Sequence, residues 1–392
     1  MELDINTSEV LLALNRVAGI VEKTGPTSHV KFETLEDSVV FSATDQQYLT
    51  LVAEYPANVE KKGTIVIKAS RFMQIARSIA GETIHVLEQS NQKVLIQSGK
   101  AKFDIHECLP VLTFPPVEEK NLIAIAEISN SDLKRVIDET SFSISPDKAS
   151  NSNLSGAAFE LVNVDNETRL RIVTTDTNRL SCSEALFNVD EQNIDIFNRF
   201  WLDDKNLPAK VVPKKAILQI RRLCDAADSN WTIAIDENQK ELILKNDNME
   251  LGILLNDSKF PPYRIIIDRI KSNAEKRRVA LVNKADIADV MRRAKIFCTQ
   301  NNHSVTLHFE SDRIVVDIKN PDIGSFEEVI PVQLEGEPSS IGFNFNYLQD
   351  IIQSVESDQF RFNFGDKTDP CLIDVVNRND CLFIVMPMRS HR

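Results

Sequence analysis

Over residues 7–23 the apolar residues Val10, Leu11, Leu14, Val17, Ala18 and Val21 recur at helical spacing, and Thr7 stands where it can cap the helix. Strand-like runs follow at 30–32, 39–42 and 64–68, with the polar stretch Thr44-Asp45-Gln46-Gln47-Tyr48-Leu49 among them. A second amphipathic helix is predicted over 71–79. A hairpin turning at Ser98-Gly99 comes next, and Leu112-Thr113-Phe114-Pro115-Pro116 closes the set.

The same order then begins again. Ser129 caps a helix carrying Leu133, Val136, Ile137 and Thr140, and Thr175-Asp176-Thr177-Asn178-Arg179-Leu180 stands in the place of the first polar stretch. A helix with Ile217, Ile220, Leu223 and Cys224 on one face follows Val211-Val212-Pro213, with Lys215, Gln219 and Arg222 on the opposite, outward stripe. A hairpin turns at Asn246-Asp247 before Lys259-Phe260-Pro261-Pro262-Tyr263-Arg264 ends the second round. Gln74-Ile75 returns as Gln219-Ile220, and Phe114-Pro115-Pro116 as Phe260-Pro261-Pro262, at nearly equal intervals. A third round places Ile287, Val290, Met291 and Ala294 on a helix, then Asn320-Pro321-Asp322, then a helix with Tyr347, Leu348, Ile351, Ile352 and Val355, and a hairpin at Asn379-Asp380. The pattern therefore predicts an α+β chain of three tandem copies, each with two helices packed on antiparallel sheet, over 1–120, 126–268 and 276–392. Residues 188–206, rich in Asn and Asp, read as an extra surface loop of the second copy.

Composition agrees with several ordinary cores. The 392 residues are 42% hydrophobic and 26% charged, as in globular chains of roughly two to four domains. The start, Met1-Glu2-Leu3-Asp4, lacks the basic and apolar regions of a signal peptide, and no apolar run is long enough to cross a membrane, so a cytoplasmic protein without membrane contact is expected. Cys108, Cys182, Cys224, Cys298, Cys371 and Cys381 are scattered singly, which argues for reduced thiols and against a disulfide framework or zinc site. His303 and His308, five apart, fall on opposite faces of the strand that Val305-Thr306-Leu307 suggests, which argues against a shared metal. With 11 glycines and no P-loop, G-x-S-x-G or H-E-x-x-H, the chain shows no catalytic residues, no metal site and no cofactor motif, so it is not expected to be an enzyme.

Charge changes the picture more. The net charge is −13, which taken alone disfavours DNA. Yet the six predicted helices hold fifteen basic residues, among them Lys23, Arg71, Arg77, Lys134, Lys215, Arg221, Arg222, Arg292 and Arg293, against nine acidic ones. An acidic body thus carries basic helices. They form one positive surface if all six face the same way, and incidental charged faces if they do not.

The end of the chain is odd. Leu382-Phe383-Ile384-Val385 reads as a buried strand, Pro387 stops it, and Met386 and Met388 are left at a sheet margin. Such methionines either wall a groove that accepts varied apolar peptides or fill gaps in a last core strand.

Three tandem copies, the positive helices and the terminal Met386-Pro387-Met388-Arg389 together resemble the bacterial sliding clamps, the beta subunits of DNA polymerase III, over the whole chain. The resemblance implies a head-to-tail homodimer, a six-domain ring with helices facing non-sequence-specific duplex DNA. It implies no catalysis, with ATP use left to the clamp loader. It also implies a groove that binds short apolar motifs of the polymerase III alpha subunit, the clamp loader, other polymerases and repair proteins. By matching motif positions that groove takes Leu154, Thr175, Thr177, Arg179, Leu180, Pro261, Ile384, Met386, Pro387, Met388 and Arg389. Ring closure is assigned to Lys100, Lys102, Phe103 and Ile105 meeting Ile296, Phe297, Glu327 and Glu328, and Lys148 joins the DNA-facing cations. Departures are visible: Ile265 stands where many members have arginine, Asn178 where many have histidine, and Asn151-Ser152-Asn153 replaces an arginine-tyrosine-tyrosine run. They keep open a second reading, a diverged paralogue acting as an interaction hub with weak DNA affinity.

Overall fold

The computed structural model describes residues 1–89, 93–118, 120–146, 152–225, 229–236, 240–273 and 277–388. Its helices are α1 (Thr7–Val17), α2 (Ala69–Ser78), α3 (Asn130–Asp138), α4 (Glu191–Trp201), α5 (Lys214–Cys224), α6 (Arg264–Ser272), α7 (Lys284–Ala294) and α8 (Phe345–Ser354). Six of these are the helices that the periodicity predicts, most of them shorter at the carboxyl end.

The cap of α1 is a correction. Asn6, not Thr7, takes that role, its Oδ1 accepting from the Ser8 amide at 2.9 Å, while the Thr7 hydroxyl donates to the Gly81 carbonyl at 2.7 Å. Asn283 before α7 and Asn344 before α8 cap in the same way. An extended residue leaving a strand with a short side-chain carbonyl can bond the first free amides of the helix. Ser129 does cap α3, accepting from the Asp132 amide at 3.0 Å.

Two further helices stand where the pattern predicts none. The predicted loop at 188–206 holds α4, whose Phe197, Phe200 and Trp201 are buried, with Phe197 edge-on to Phe187 at 5.9 Å. Aromatics at helical spacing outweighed the acidic residues around them. The residues from Arg264 onward, where the second round ends, form α6, anchored through Ile267 and Ile270.

The chain forms two compact units, one of residues 1–134, 187–200 and 212–256, the other of 135–186, 201–211 and 257–392. All described strand pairs are antiparallel. In the first unit a five-stranded sheet runs in the order 58–61, 2–6, 83–89, 93–98, 101–105. Beside it in the same unit, a ten-stranded sheet runs 108–109, 64–68, 29–34, 38–44, 49–56, 249–254, 241–245, 231–236, 122–128, 188–189. The sheet of the second unit runs 156–164, 167–175, 179–186, 381–385, 371–375, 359–364, 278–283, 324–335, 313–320, 304–309, 339–344.

The repeat explains why sheets join successive copies. In the first unit Leu49, Thr50 and Leu51 pair with Ile253, Gly252 and Leu251. In the second, Leu180, Ser181 and Cys182 pair with Ile384, Phe383 and Leu382. The two registers are the same register moved by an equal step on both strands, so the strand after each polar turn meets the last strand of the following copy.

Candidate peptide groove and cationic helix face

The polar turns that mark the repeat are built alike. In the first, Asp45 Oδ1 accepts from the amides of Gln47, Tyr48 and Leu49 at 2.8–2.9 Å, and Gln46 has φ +57°. In the second, Asp176 Oδ1 accepts from Asn178 and Arg179 at 3.0 Å, and Thr177 has φ +78°. A carboxylate that holds successive amides fixes a turn that a positive φ would otherwise strain.

Arg179 sits at the centre of the second turn. Its Nε donates to Asp176 Oδ2 at 3.0 Å, its Nη1 to Asp350 Oδ2 at 2.6 Å and its Nη2 to the Phe142 carbonyl, while its guanidinium lies 4.3 Å from the Tyr347 ring centroid. The side chain is only 12% exposed. Thr175 is also committed, donating to the Arg179 carbonyl at 2.6 Å. These two assigned groove residues therefore build the wall and offer little to a ligand.

Apolar residues make the floor. Leu180 and Ile384 face each other across the strand pair and pack with Ala158, Phe260, Tyr263, Ile267 and Ile270 in one buried cluster. Leu154 is buried too. The tail continues beyond the strand 381–385, its Met386 amide donating to the Asn178 carbonyl and its Met388 amide to the Gly342 carbonyl, both at 2.8 Å. Held on both sides, Met386 stays exposed and Pro387 and Met388 half-exposed, beside exposed Thr177 and half-exposed Pro261. Arg389 lies outside the described residues. The described members of the assigned set thus all lie on the second unit, with Thr177, Pro261, Met386, Pro387 and Met388 as its accessible part. Ile265 and Ile266 of α6, 66% and 43% exposed, add apolar surface that the motif positions did not assign.

Cations lie along helices that touch in series. Within the first unit Arg77 of α2 donates to Asn15 of α1 at 3.2 Å, and Gln219 of α5 donates to the Arg16 carbonyl of α1 at 2.6 Å. Lys215 reaches Glu22 at 2.7 Å and Asp45 at 2.8 Å, and Lys134 of α3 reaches Asp225 at 2.8 Å. This corrects the outward stripe of α5: Gln219 is buried, because the last carbonyls of α1 lack helical partners and the polar side chains of α5 satisfy them. Burial opposes the Lys215 ammonium, but Asp45 and Glu22 outweigh it and raise its pKa. Burial likewise opposes the Asp45 carboxylate, yet Lys215 and the turn amides hold its pKa below the ordinary value.

The positive face is smaller than the count of basic residues suggests. Arg16 is buried, donating to the Tyr55 hydroxyl at 2.8 Å. Arg71 is bonded to Glu107 at 2.6 Å, and Arg221 lies 2.7 Å from Asp225. In the second unit Arg293 donates its Nε to Glu328 at 2.8 Å, which draws the Glu328 pKa down, and Arg292 lies 3.5 Å from Asp289. Lys23 and Arg222 are exposed, with no ion pair among the described residues. Lys148 lies outside them.

The chain matches three successive family models: the DNA polymerase III beta subunit N-terminal domain over 1–118, its central domain over 127–262 and its C-terminal domain over 273–389. The chain belongs to this family. Similar proteins include the beta sliding clamps of Caulobacter vibrioides and Pseudomonas aeruginosa, 27% and 26% identical, with 99% of this chain and all of theirs covered. Among solved structures it is similar to the sliding clamp of Caulobacter crescentus, with TM-score 0.84 and 27% identity, and to that of Bartonella birtlesii bound to griselimycin, with TM-score 0.87 and 26% identity, each matched over its full length.

Family membership directs attention to two sheet edges. The strand 101–105 is the outermost of its sheet, with Lys100, Lys102 and Asp104 exposed and Phe103 half-buried. Ile105 is buried. In the other unit, residues 324–331 pair on one side with 313–320, while the neighbour 278–283 engages only Val332–Glu335. Beside that open stretch lie Ile296, 71% exposed, Val329, 50% exposed, and Phe297, whose ring is 5.8 Å from Phe326. Glu327 is exposed, whereas Glu328 is already taken by Arg293.

Proposed function

We propose that two copies of the chain close head to tail into a ring that encircles duplex DNA. The chain is a non-catalytic processivity factor, a DNA sliding clamp. The observation that supports ring closure is the repeat itself. Within the chain, the strand after each of the first two polar turns pairs with the last strand of the next copy. The third such strand, 324–335, keeps an open edge, and 101–105, the outermost strand of the first copy's five-stranded sheet, has one too. Joining one protomer's 324–331 to its partner's 101–105 repeats the rule a third time and removes both edges. Phe103 and the Ile296, Phe297 and Val329 patch supply the apolar contact. Lys100 and Lys102 face Glu327, a rim pair of small worth.

Inside that ring α2, α5 and α7 present Arg77, Arg222 and Arg292 to the phosphates, and the turn after α1 presents Lys23. Duplex DNA carries a charge about every 1.7 Å, so a weakly positive lining attracts the backbone without reading bases. Enclosure supplies retention, and ion pairs such as Lys134–Asp225 and Arg293–Glu328 keep the lining from gripping too hard. The surface around Thr177, Pro261, Met386, Pro387 and Met388 receives short apolar segments of the polymerase III alpha subunit, the clamp loader and repair proteins, in the cytoplasm where replication occurs.

Replacing Lys23, Arg222 and Arg292 by Glu tests the lining. DNA synthesis per binding event should fall at least tenfold and become more salt-sensitive, while polymerase still binds the free clamp. Unchanged processivity would contradict the assignment. Deleting Met386–Arg392 should have the reverse pattern: an intact dimer that no longer binds polymerase.

A further inference from the structure

Each of the two open sheet edges carries an ion pair on its helix side, and the two pairs are unequal. Side chains alternate along a strand, so Phe326, Glu328 and Ile330 share one side of 324–331, while Glu327 and Val329 take the other. Ile330 is buried and Phe326 lies by Phe297, which makes theirs the side that packs on the helices. There Arg293 of α7 grips Glu328 with a two-pronged fork, its Nε donating to Oε2 at 2.8 Å and its Nη2 to Oε1 at 2.5 Å. The fork is not sealed: the two side chains are 41% and 31% exposed.

On 101–105, Phe103 and Ile105 pair with the buried Ile96 and Val94 and so share their side. With Arg71, Gln74 and Ile75 of α2 they line a cleft of about 640 Å³. Arg71 donates its Nε to Glu107 at 2.6 Å, and Lys68 stands 3.4 Å from the same carboxylate. Glu107 therefore keeps a cation if Arg71 leaves it. Glu328 has Arg293 alone among the described residues. Joining one protomer's 324–331 to its partner's 101–105 brings like sides together, which sets Glu328 against the partner's Arg71 and leaves Lys102 to meet Glu327 on the outer side.

We infer, on the ring reading above, that Arg293 is a latch exchanged during ring closure. In the open protomer it holds Glu328. In the closed ring the partner's Arg71 takes Glu328, and Arg293 turns to a DNA phosphate. Every charge then has a partner: Glu107 keeps Lys68, Glu328 has Arg71, and Arg293 has the backbone of the duplex. In an empty ring Arg293 has no phosphate to turn to, so it competes with Arg71 for Glu328 and loosens the closure. Duplex DNA thus tightens the ring, and by linkage closure strengthens the hold on DNA by the same factor.

Subunit exchange between two fluorescently labelled pools of the full-length protein gives the dimer dissociation constant, with and without a short duplex. Arg293→Gln should tighten the empty dimer by about tenfold, since each of the ring's two junctions gains one unopposed ion pair. The same change should remove most of the tightening that the duplex gives wild type. Arg293→Lys, which keeps a one-pronged pair, should fall between, and Glu328→Gln should loosen the empty dimer. Adding Arg71→Gln to Arg293→Gln should abolish the gain. An Arg293→Gln dimer no tighter than wild type, or a gain that survives Arg71→Gln, overturns the exchange. Failure of the ring reading looks different: Ile296→Asp then leaves the empty dimer as tight as before, and the exchange falls with it.

Discussion

Arg179 shows how a residue assigned by position to ligand contact can be consumed by the fold. Its guanidinium bonds Asp176, Asp350 and the Phe142 carbonyl and lies over Tyr347. Removing it would leave two carboxylates and a carbonyl without their cation, which costs more than the pair contributes. Arg179→Met should therefore lower unfolding stability by about 3 kcal/mol in denaturant titration. Lysine should rescue poorly, since one ammonium cannot reproduce the planar fork. A residue that served only as a peptide ligand would instead lose affinity at constant stability. The cysteines make the complementary point. Burial pushes the Cys182 and Cys371 thiols up to about 12, and Cys108 and Cys298 up to about 11, so none of these four is poised as a nucleophile.

At the scale of elements, the seam between α1 and α5 depends on Lys215 and Gln219. The Asp45 pKa is lowered from 3.8, so its contribution is present above that value and fades as pH falls through the lowered one. The Lys215 pKa is raised from 10.5, so its contribution is present below that value and is lost as pH rises through the raised one. Lys215→Met should cost about 2 kcal/mol, because Asp45 stays buried with only amides to hold it. The difference from wild type should be flat from about pH 4 to 10 and shrink beyond both limits. A cost that kept growing above pH 10 would show that another group holds the seam. Elements were also where sequence reading succeeded and failed. Helical spacing located six helices, since each buries one face on its own sheet. It missed α4 and α6, where Asp and Asn or a preceding Pro-Pro pair looked like loop, and where the apolar face meets other parts of the chain. The groove's strand and turn were legible because Asp176 and Pro387 act locally. The cleft between α6 and the hairpin turn 365–370 was not, because it depends on where the sheet places that distant turn.

For the whole molecule, two sheet edges stay open, and the proposed ring closes them with a second copy. Ile296 is exposed in the single chain, so Ile296→Asp should leave the Tm of the protomer unchanged yet weaken dimer formation at least a hundredfold in light scattering. A dimer of unchanged affinity would place the interface elsewhere. The acidic total of −13 no longer argues against DNA once the cations are assigned to the helices. The most direct test is topological. Once loaded on nicked circular DNA, the protein should stay bound through gel filtration in moderate salt, and should be lost within minutes when one cut linearises the circle. Equal retention on circular and linear DNA, or equal loss from both, would contradict a clamp that holds DNA by enclosing it.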